Sequence, residues 1–85
     1  MNRLTGKNEN GYYVVTNEDT EKAIQRLGIF EDAYEDLMTD REQIPKSLEG
    51  MRIQGKEKTV RYKETMVQKL INNNIVMFFE KYDLK

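Results

Sequence analysis

Apolar residues recur every three or four positions through most of this chain, and that spacing places side chains on one face of an α-helix. In the first such segment they are Ala23, Leu27, Phe30, Tyr34 and Leu37. Thr16 or Asn17 can cap this segment, and the acidic residues that follow suit the positive end of a helix dipole. The pattern predicts a long helix that ends near Thr39. Gly28 is a poor helix former, so we expect another element to cross closely there.

Two more helices are predicted towards the C-terminus. Pro45 disfavours helical geometry at Ile44 but suits a first helical turn, which predicts a break and then a short helix over Pro45–Gln54. A long final helix is predicted to begin near Lys58 or Thr59. Its predicted inner face consists of Val60, Met66, Val67, Leu70, Ile71, Met77, Phe78 and Tyr82. Asparagine is a poor interior residue of helices, so Asn72–Asn74 predicts a kink in the last one.

The first 16 residues have a different pattern. Tyr12–Val15 is an aromatic and β-branched run that favours a strand, and the Asn-Gly pair before it favours the positive φ of a tight turn. Leu4 and Thr5 supply the other extended piece, and Gly6–Gly11 form the polar turn between the two. We therefore expect a β-hairpin or arm over residues 1–16.

The expected fold is mainly α, within a small α+β class. It comprises the hairpin (1–16) and a helical part (17–85) with a long helix, a short helix and a long C-terminal helix. A chain of 85 residues sets a single domain, and its apolar stripes can share one core only if the two long helices run roughly antiparallel. The core is expected to contain Leu27, Phe30, Tyr34, Leu70 and Phe78.

The composition removes most catalytic chemistry. The chain has no histidine and no cysteine, so the usual general base, the thiolate nucleophile and the commonest metal ligands are missing. Gly50–Lys56 matches the start of the phosphate-binding loop GxxxxGK[ST], but Glu57 replaces the hydroxyl residue that holds magnesium. We interpret this stretch as a helix end and a connection. The expected protein is not an enzyme and takes no cofactor and no metal.

The hydropathy pattern predicts a cytoplasmic protein. No apolar run approaches the roughly 18 residues of a membrane span, and the longest is Ile75–Phe79. The start of the chain is polar and lacks the apolar core of a signal peptide. We therefore expect no contact with a membrane.

Charge is distributed unevenly along the sequence. Residues 17–43 hold nine acids against three bases, a net of −6, and residues 44–70 hold seven bases against three acids, a net of +4. One interpretation is that an acidic helix and a basic helix pack as neighbours and attract one another. The other is that one of the two segments binds a partner.

Two charged surfaces are therefore candidate sites. The acidic candidate, suited to a protein partner or to imitation of a nucleic-acid backbone, consists of Glu31, Asp32, Glu35, Asp36 and Asp40. The basic candidate, suited to phosphates, consists of Arg52, Lys56, Lys58, Arg61, Lys63 and Lys69. The isoelectric point of about 5.5 lies below the value above ~9 expected of a dedicated nucleic-acid binder, which favours a protein partner.

Two stretches, "MNRLTGKNENGYY" and "AIQRLGIFEDAYEDL", resemble short proteins encoded by phages and prophages of Firmicutes and related gut bacteria. Those proteins often begin MNRLT, continue with an ENG turn and then carry an RLxxYEDxxL-like helix. The matching positions here are Arg26, Leu27, Phe30, Glu31, Asp32 and Leu37, with Phe30 in the usual tyrosine position. The stretch "GKEKTVRYKETMVQKLINNNIVMFFEKYDLK" is similar to a second block in some of them.

The resemblance implies a mobile-element accessory protein and carries over no catalytic or binding residue. With the charged surfaces it supports two hypotheses. The first is a non-enzymatic protein, in the cytoplasm of a bacterial host, that binds and inhibits a host protein such as a CRISPR effector or another defence component. The alternative is a small nucleic-acid-binding or regulatory module that uses the basic segment 52–69. A homodimer is a further option, because a chain this short buries little surface by itself.

Overall fold

A computed structural model of the chain describes residues 1–82. Their contacts separate two units, Met1–Ala33 and the residues from Tyr34 onward. The first long helix contributes its N-terminal turns to the first unit and the rest of its length to the second. The expectation of a single domain stays a prediction.

The first unit contains the expected β-hairpin. Strand β1 (Gly6–Lys7) pairs antiparallel with strand β2 (Tyr13–Val14). The Asn8 side chain closes the turn, because its Oδ1 accepts hydrogen bonds from the backbone N–H groups of Asn10 and Tyr12, each at 3.0 Å. The glycine between those two residues has a φ of 79°, as the Asn-Gly pair predicts. Strand β1 therefore consists of Gly6 and Lys7, which were predicted to be turn residues, and not of Leu4 and Thr5. The physical reason is that the bonds of Asn8 shorten the turn.

Helix α1 spans Thr20–Ile53, and a short 3-10 turn at Asn17–Asp19 precedes it. Thr16 is the N-cap of that turn, although its side chain makes no capping hydrogen bond. A side chain at Gly28 would meet nothing within 4 Å. The expected close crossing at this glycine is therefore wrong.

The predicted break before Pro45 is also wrong, since this proline lies inside α1 and Pro45–Gln54 is not a separate short helix. Proline at this position removes the helical hydrogen bond to the Arg41 carbonyl oxygen, but Arg41 is exposed, so water can bind that oxygen. Ile44 is half-buried and Leu48 is fully buried, so one packed face continues past the proline. Burial of that face offsets the missing hydrogen bond.

Gly50–Lys56 forms a helix end and a connection, as the sequence predicts. Gly55 has a φ of 70°, and its N–H donates to the Arg52 carbonyl oxygen at 3.0 Å. The Lys56 N–H donates to the Met51 carbonyl oxygen at 2.8 Å. These two bonds are the pair that closes a helix at a left-handed glycine.

Helix α2 spans Val60–Glu80 without interruption. Thr59 is its N-cap, and the threonine hydroxyl oxygen accepts a hydrogen bond from the Tyr62 N–H at 3.2 Å. The helix is therefore not broken at Asn72–Asn74, and a kink there stays a prediction. The buried Asn72 amide donates to the Leu37 carbonyl oxygen on α1 at 3.0 Å, and this bond favours the helical position of the asparagine.

In the second unit, α1 and α2 pack as an antiparallel helical hairpin. The rings of Tyr34 and Phe79 lie edge to face with centroids 5.9 Å apart, while at the other end Arg52 Nε donates to Tyr62 Oη at 2.8 Å. Buried and half-buried positions recur every three or four residues along both helices. On α1 they include Tyr34, Leu37, Ile44, Leu48 and Met51. On α2 they include Tyr62, Thr65, Lys69, Asn72, Val76 and Phe79.

The predicted core is mostly wrong. Tyr34 is half-buried, but Leu27, Phe30, Leu70 and Phe78 are between 39% and 61% exposed. The buried hydrophobic residues among residues 1–82 are instead Leu48 and Val76.

The reason is geometric. Helix α2 carries two rows of side chains along its length, which we call stripes, on opposite faces. The predicted inner face, with Val67, Leu70 and Phe78, points away from α1. The stripe that contacts α1 is the one in which Tyr62 and Asn72 bond to groups on α1. Polar pairing therefore selects the orientation that apolar spacing alone did not predict.

Candidate functional site

All five acidic candidates are exposed along α1. Glu31 and Asp32 belong to the first unit, and Glu35, Asp36 and Asp40 belong to the second. Among residues 1–82, none of the five lies within ion-pair distance of a cation. Their charge is therefore not neutralised by the described part of the chain.

Among residues 1–82, no ion pair joins the acidic segment 17–43 to the basic segment 44–70. One ion pair joins Arg41 to Glu80 at 3.6 Å, and the other joins Arg52 to Glu49 at 3.5 Å. Neither pair joins an acidic candidate to a basic candidate. Both are surface pairs, which typically contribute about 0 to 1 kcal/mol, so they do not account for the charge separation along the sequence.

Asp40 differs from the other acids because it borders a groove in the second unit. The groove has a volume of about 250 Å³ and contains the apolar side chains of Leu37, Ile44, Ile71 and Ile75. Glu35 and Asp36 do not line it. The acidic candidates are therefore exposed together on one helix, but the groove involves only one of them.

Of the basic candidates, Arg52 is engaged within the helical hairpin. Its Nε donates to Tyr62 Oη, its guanidinium carbon lies 5.9 Å from the centroid of the same ring, and its Nη1 lies 3.5 Å from Glu49 Oε2. The hydrogen bond to Tyr62 is the main cause that raises the pKa of Arg52 above its ordinary value, and the nearby Glu49 carboxylate adds to it. Arg52 therefore joins the two helices, and its guanidinium is already engaged by Tyr62 and Glu49.

Two of the basic candidates meet at a cleft beside the connection between α1 and α2. Lys56 and Arg61 line this cleft, which has a volume of about 570 Å³. Its other lining residues are Ser47, Gly50, Met51, Gln54 and Thr59. Two cations with hydroxyl and amide groups form a surface that can attract an anionic ligand.

The remaining basic candidates lie elsewhere. Lys58 and Lys63 are exposed and do not line the cleft. Lys69 is half-buried on the stripe of α2 that contacts α1. The six residues that are close in sequence therefore form no single surface, because the turn at Gly55 and the helical rotation of α2 direct them to different sides.

Sequence reasoning missed a third surface, which we call the outer face of α2. It consists of Val67, Leu70, Ile71, Asn74, Met77 and Phe78, all exposed. Ile71 is at the edge of this face, because it also lines the groove with Leu37 and Ile44 of α1. Between Glu64 and Glu80 the only charged residue is Lys69, which lies on the opposite stripe. The sequence does contain a signal for this face. A second series of residues from Tyr62 to Phe79 has the same three- and four-residue spacing, so either series could have formed the contact with α1.

The first unit has an apolar groove of its own, with a volume of about 490 Å³. Its lining includes Met1, Leu4, Ala23, Leu27 and Phe30. One guanidinium nitrogen of Arg26 donates a hydrogen bond to the backbone carbonyl oxygen of Asn2, which fastens the N-terminal residues beside this groove.

Neither helix of residues 1–82 is long and apolar enough to span a lipid bilayer. Within those residues, no group of three or more acidic side chains is close enough to hold a metal ion. Compared with known proteins, the chain matches no protein family, no curated protein and no solved structure.

Proposed function

We propose that this chain is a non-enzymatic phage or prophage accessory protein that binds and inhibits a host protein through carboxylates of α1. The observation that supports this most is that Glu35 and Asp36 are exposed and have no cationic partner among residues 1–82. A carboxylate that is not neutralised within its own chain keeps its charge available for a partner. The resemblance to phage and prophage proteins suggests the setting, in which the partner is a defence component such as a CRISPR effector.

The partner surface that fits these carboxylates is basic. Proteins that act on nucleic acids bind phosphates with grooves of lysine and arginine. Acidic side chains spaced along a helix offer negative charge to the same groups, so the chain can occupy such a groove and exclude the nucleic acid. This mode of inhibition needs no catalytic residue, which agrees with a sequence that lacks histidine and cysteine.

The test is phage plating on bacteria whose CRISPR effector targets that phage. Cells that also express this chain should lose most of the protection. The double variant Glu35→Lys and Asp36→Lys should restore protection, because like charges facing each other across an interface cost several kcal/mol. That cost corresponds to a loss of affinity of roughly 100-fold or more.

The matched control is Glu57→Lys with Glu64→Lys, which changes the net charge by the same amount at two other exposed positions. This control should inhibit as well as the parent, and circular dichroism should give the same helix content for all three proteins. Equal inhibition by both double variants would exclude the carboxylates of α1. If cells that express the parent chain stay fully protected from the phage with every defence system tested, the inhibitory function is contradicted.

The second candidate function is nucleic-acid binding, favoured by the cleft in which Lys56 and Arg61 meet. Here Lys56→Glu with Arg61→Glu should abolish retardation of DNA or RNA in a gel, and binding should weaken steeply with added salt. Pure parent protein that retards neither nucleic acid at low salt would eliminate this function.

A further inference from the structure

Helix α2 presents its more apolar stripe away from α1. On the outer face, Val67, Leu70, Ile71, Met77 and Phe78 are 52% to 61% exposed. With ~150 Å² for each side chain, the lower end of the aromatic range because only Phe78 is aromatic, these five leave about 420 Å² of mostly apolar surface. The largest apolar patch of a typical monomer covers about 300 to 600 Å² and is often functional, so this face lies within that range.

The area matches the core of an interface between two proteins. A standard interface buries about 800 Å² on each partner, of which roughly 56 to 65% is apolar. That fraction is about 450 to 520 Å², close to the exposed apolar area of the outer face. The stretch between Glu64 and Glu80 is also depleted of charge on this side, as interface cores are.

The outer face has a symmetry that points to its occupant. Asn74 lies between four of the five apolar residues, which are three and four positions before it (Ile71, Leu70) and three and four positions after it (Met77, Phe78). The pattern of these four is therefore the same in both directions along the helix, while Val67 has Lys81 as its counterpart at seven positions. A two-fold axis through such a face places the same set of residues on both sides of the interface.

We propose that the outer face binds a second copy of this chain, with the two α2 helices antiparallel and related by a two-fold axis close to Asn74. In this register Leu70 packs against Phe78 of the partner subunit, and Ile71 packs against Met77 of the partner subunit. The two Asn74 amides meet at the axis, where each can donate to the carbonyl oxygen of the other. A single polar asparagine within an apolar helix contact is a known means of fixing register and oligomeric state.

The small core of the chain gives an independent reason for the pairing. Leu48 and Val76 are the buried hydrophobic residues within the described part of the chain, and a chain without cysteine has no disulfide to compensate. A second copy of the chain is present wherever the chain is made. Pairing of two helical hairpins buries apolar surface that the core of one chain leaves exposed. This inference does not depend on the proposed function.

The first test is the mass of the purified full-length chain, measured by light scattering during gel filtration and by sedimentation equilibrium. The parent should be a dimer of about 20 kDa, twice the chain mass. Leu70→Lys with Met77→Lys should raise the dissociation constant roughly 100-fold or more, since each introduced ammonium faces an apolar side chain across the interface. The matched control, Ile29→Lys with Ile53→Lys, changes two exposed isoleucines of α1 and should remain dimeric.

The second test uses the absence of cysteine to identify which residues meet. Asn74→Cys should form an interchain disulfide under mild oxidation, while Lys58→Cys in the connection should form much less. Ile71→Cys and Met77→Cys should crosslink better when the two proteins are mixed than when each is oxidised alone. This readout does not require the lysine variants to fold.

A parent that stays monomeric at every soluble concentration would overturn the proposal. A dimer that survives both lysine substitutions on α2, or in which Asn74→Cys does not crosslink, would place the interface on another surface. Ile71→Cys and Met77→Cys that each crosslink best with themselves would overturn the antiparallel register. Inhibition of a host protein by monomeric Leu70→Lys, Met77→Lys protein would leave the proposed function intact, so the two ideas fail separately.

Discussion

The substitution Leu48→Ala tests the packing of the helical hairpin most directly. Leu48 is 1% exposed and lies on the face of α1 that continues past Pro45. Removing three carbons from a buried side chain costs about 2.4 kcal/mol at ~0.8 kcal/mol each. The cavity that remains raises this cost to about 3 to 5 kcal/mol.

The matched control is Leu27→Ala, the same chemical change at a side chain that is 57% exposed. Scaling the transfer cost by the buried fraction gives roughly 1 kcal/mol for Leu27. Small domains have a total stability of about 5 kcal/mol at the lower end of the usual range. Leu48→Ala should therefore approach complete unfolding, while Leu27→Ala should remain folded.

The assay is urea unfolding followed by far-ultraviolet circular dichroism, with all proteins at one concentration so that any self-association contributes equally. We expect the midpoint of Leu48→Ala to fall far below that of Leu27→Ala. A loss of stability for Leu48→Ala below ~1.5 kcal/mol, less than its transfer cost alone, would contradict the burial of this leucine. Equal losses for the two variants would contradict the helical hairpin itself.

Three further predictions concern stability and use the same urea assay. Gly28→Ala should stabilise the chain by about 0.5 to 1 kcal/mol because the added methyl group meets nothing within 4 Å, whereas Gly55→Ala should destabilise it by about 1 kcal/mol because its φ is 70°; the same sign for both would refute this. Asn72→Ala should lower the free energy of unfolding by about 1 kcal/mol more than Asn73→Ala, because both substitutions gain the same helix propensity but only the first loses a hydrogen bond. Equal free energies for the two variants would show that this bond contributes nothing. Tyr62→Phe should cost less than ~1 kcal/mol, because the Arg52 guanidinium is half exposed and retains Glu49; a larger loss would indicate that this contact closes the hairpin.

The sequence by itself determined the local elements of this protein. Asn10 and Gly11 define the turn of the hairpin, Gly55 ends α1, and Thr59 begins α2. Each of these signals acts through the backbone of a few neighbouring residues, through a positive φ or a capping hydroxyl. Such effects are readable without knowledge of the rest of the fold.

Tertiary structure decided whether the weaker local signals took effect. Pro45 and the asparagines of α2 both disfavour a helix interior, yet both lie within continuous helices. Their cost is on the order of 1 to 3 kcal/mol, and burial of Leu48 together with the bond from Asn72 to the Leu37 carbonyl oxygen offsets it. A long-range contact of this kind cannot be read from residues that are adjacent in the sequence.

Only the tertiary structure also decided which face of α2 packs against α1. The helix has two stripes with the same spacing. One contains Tyr62 and Asn72 and the other contains Leu70 and Phe78, so the spacing alone does not distinguish them. Hydrophobicity favours the second stripe, but the hydrogen bonds and ring contacts that α1 offers are directed at the first. Lys69 lies eight residues beyond Arg61 on α2, about 12 Å along the helix at 1.5 Å per residue, so the position of α2 also keeps it from the cleft that Lys56 and Arg61 line.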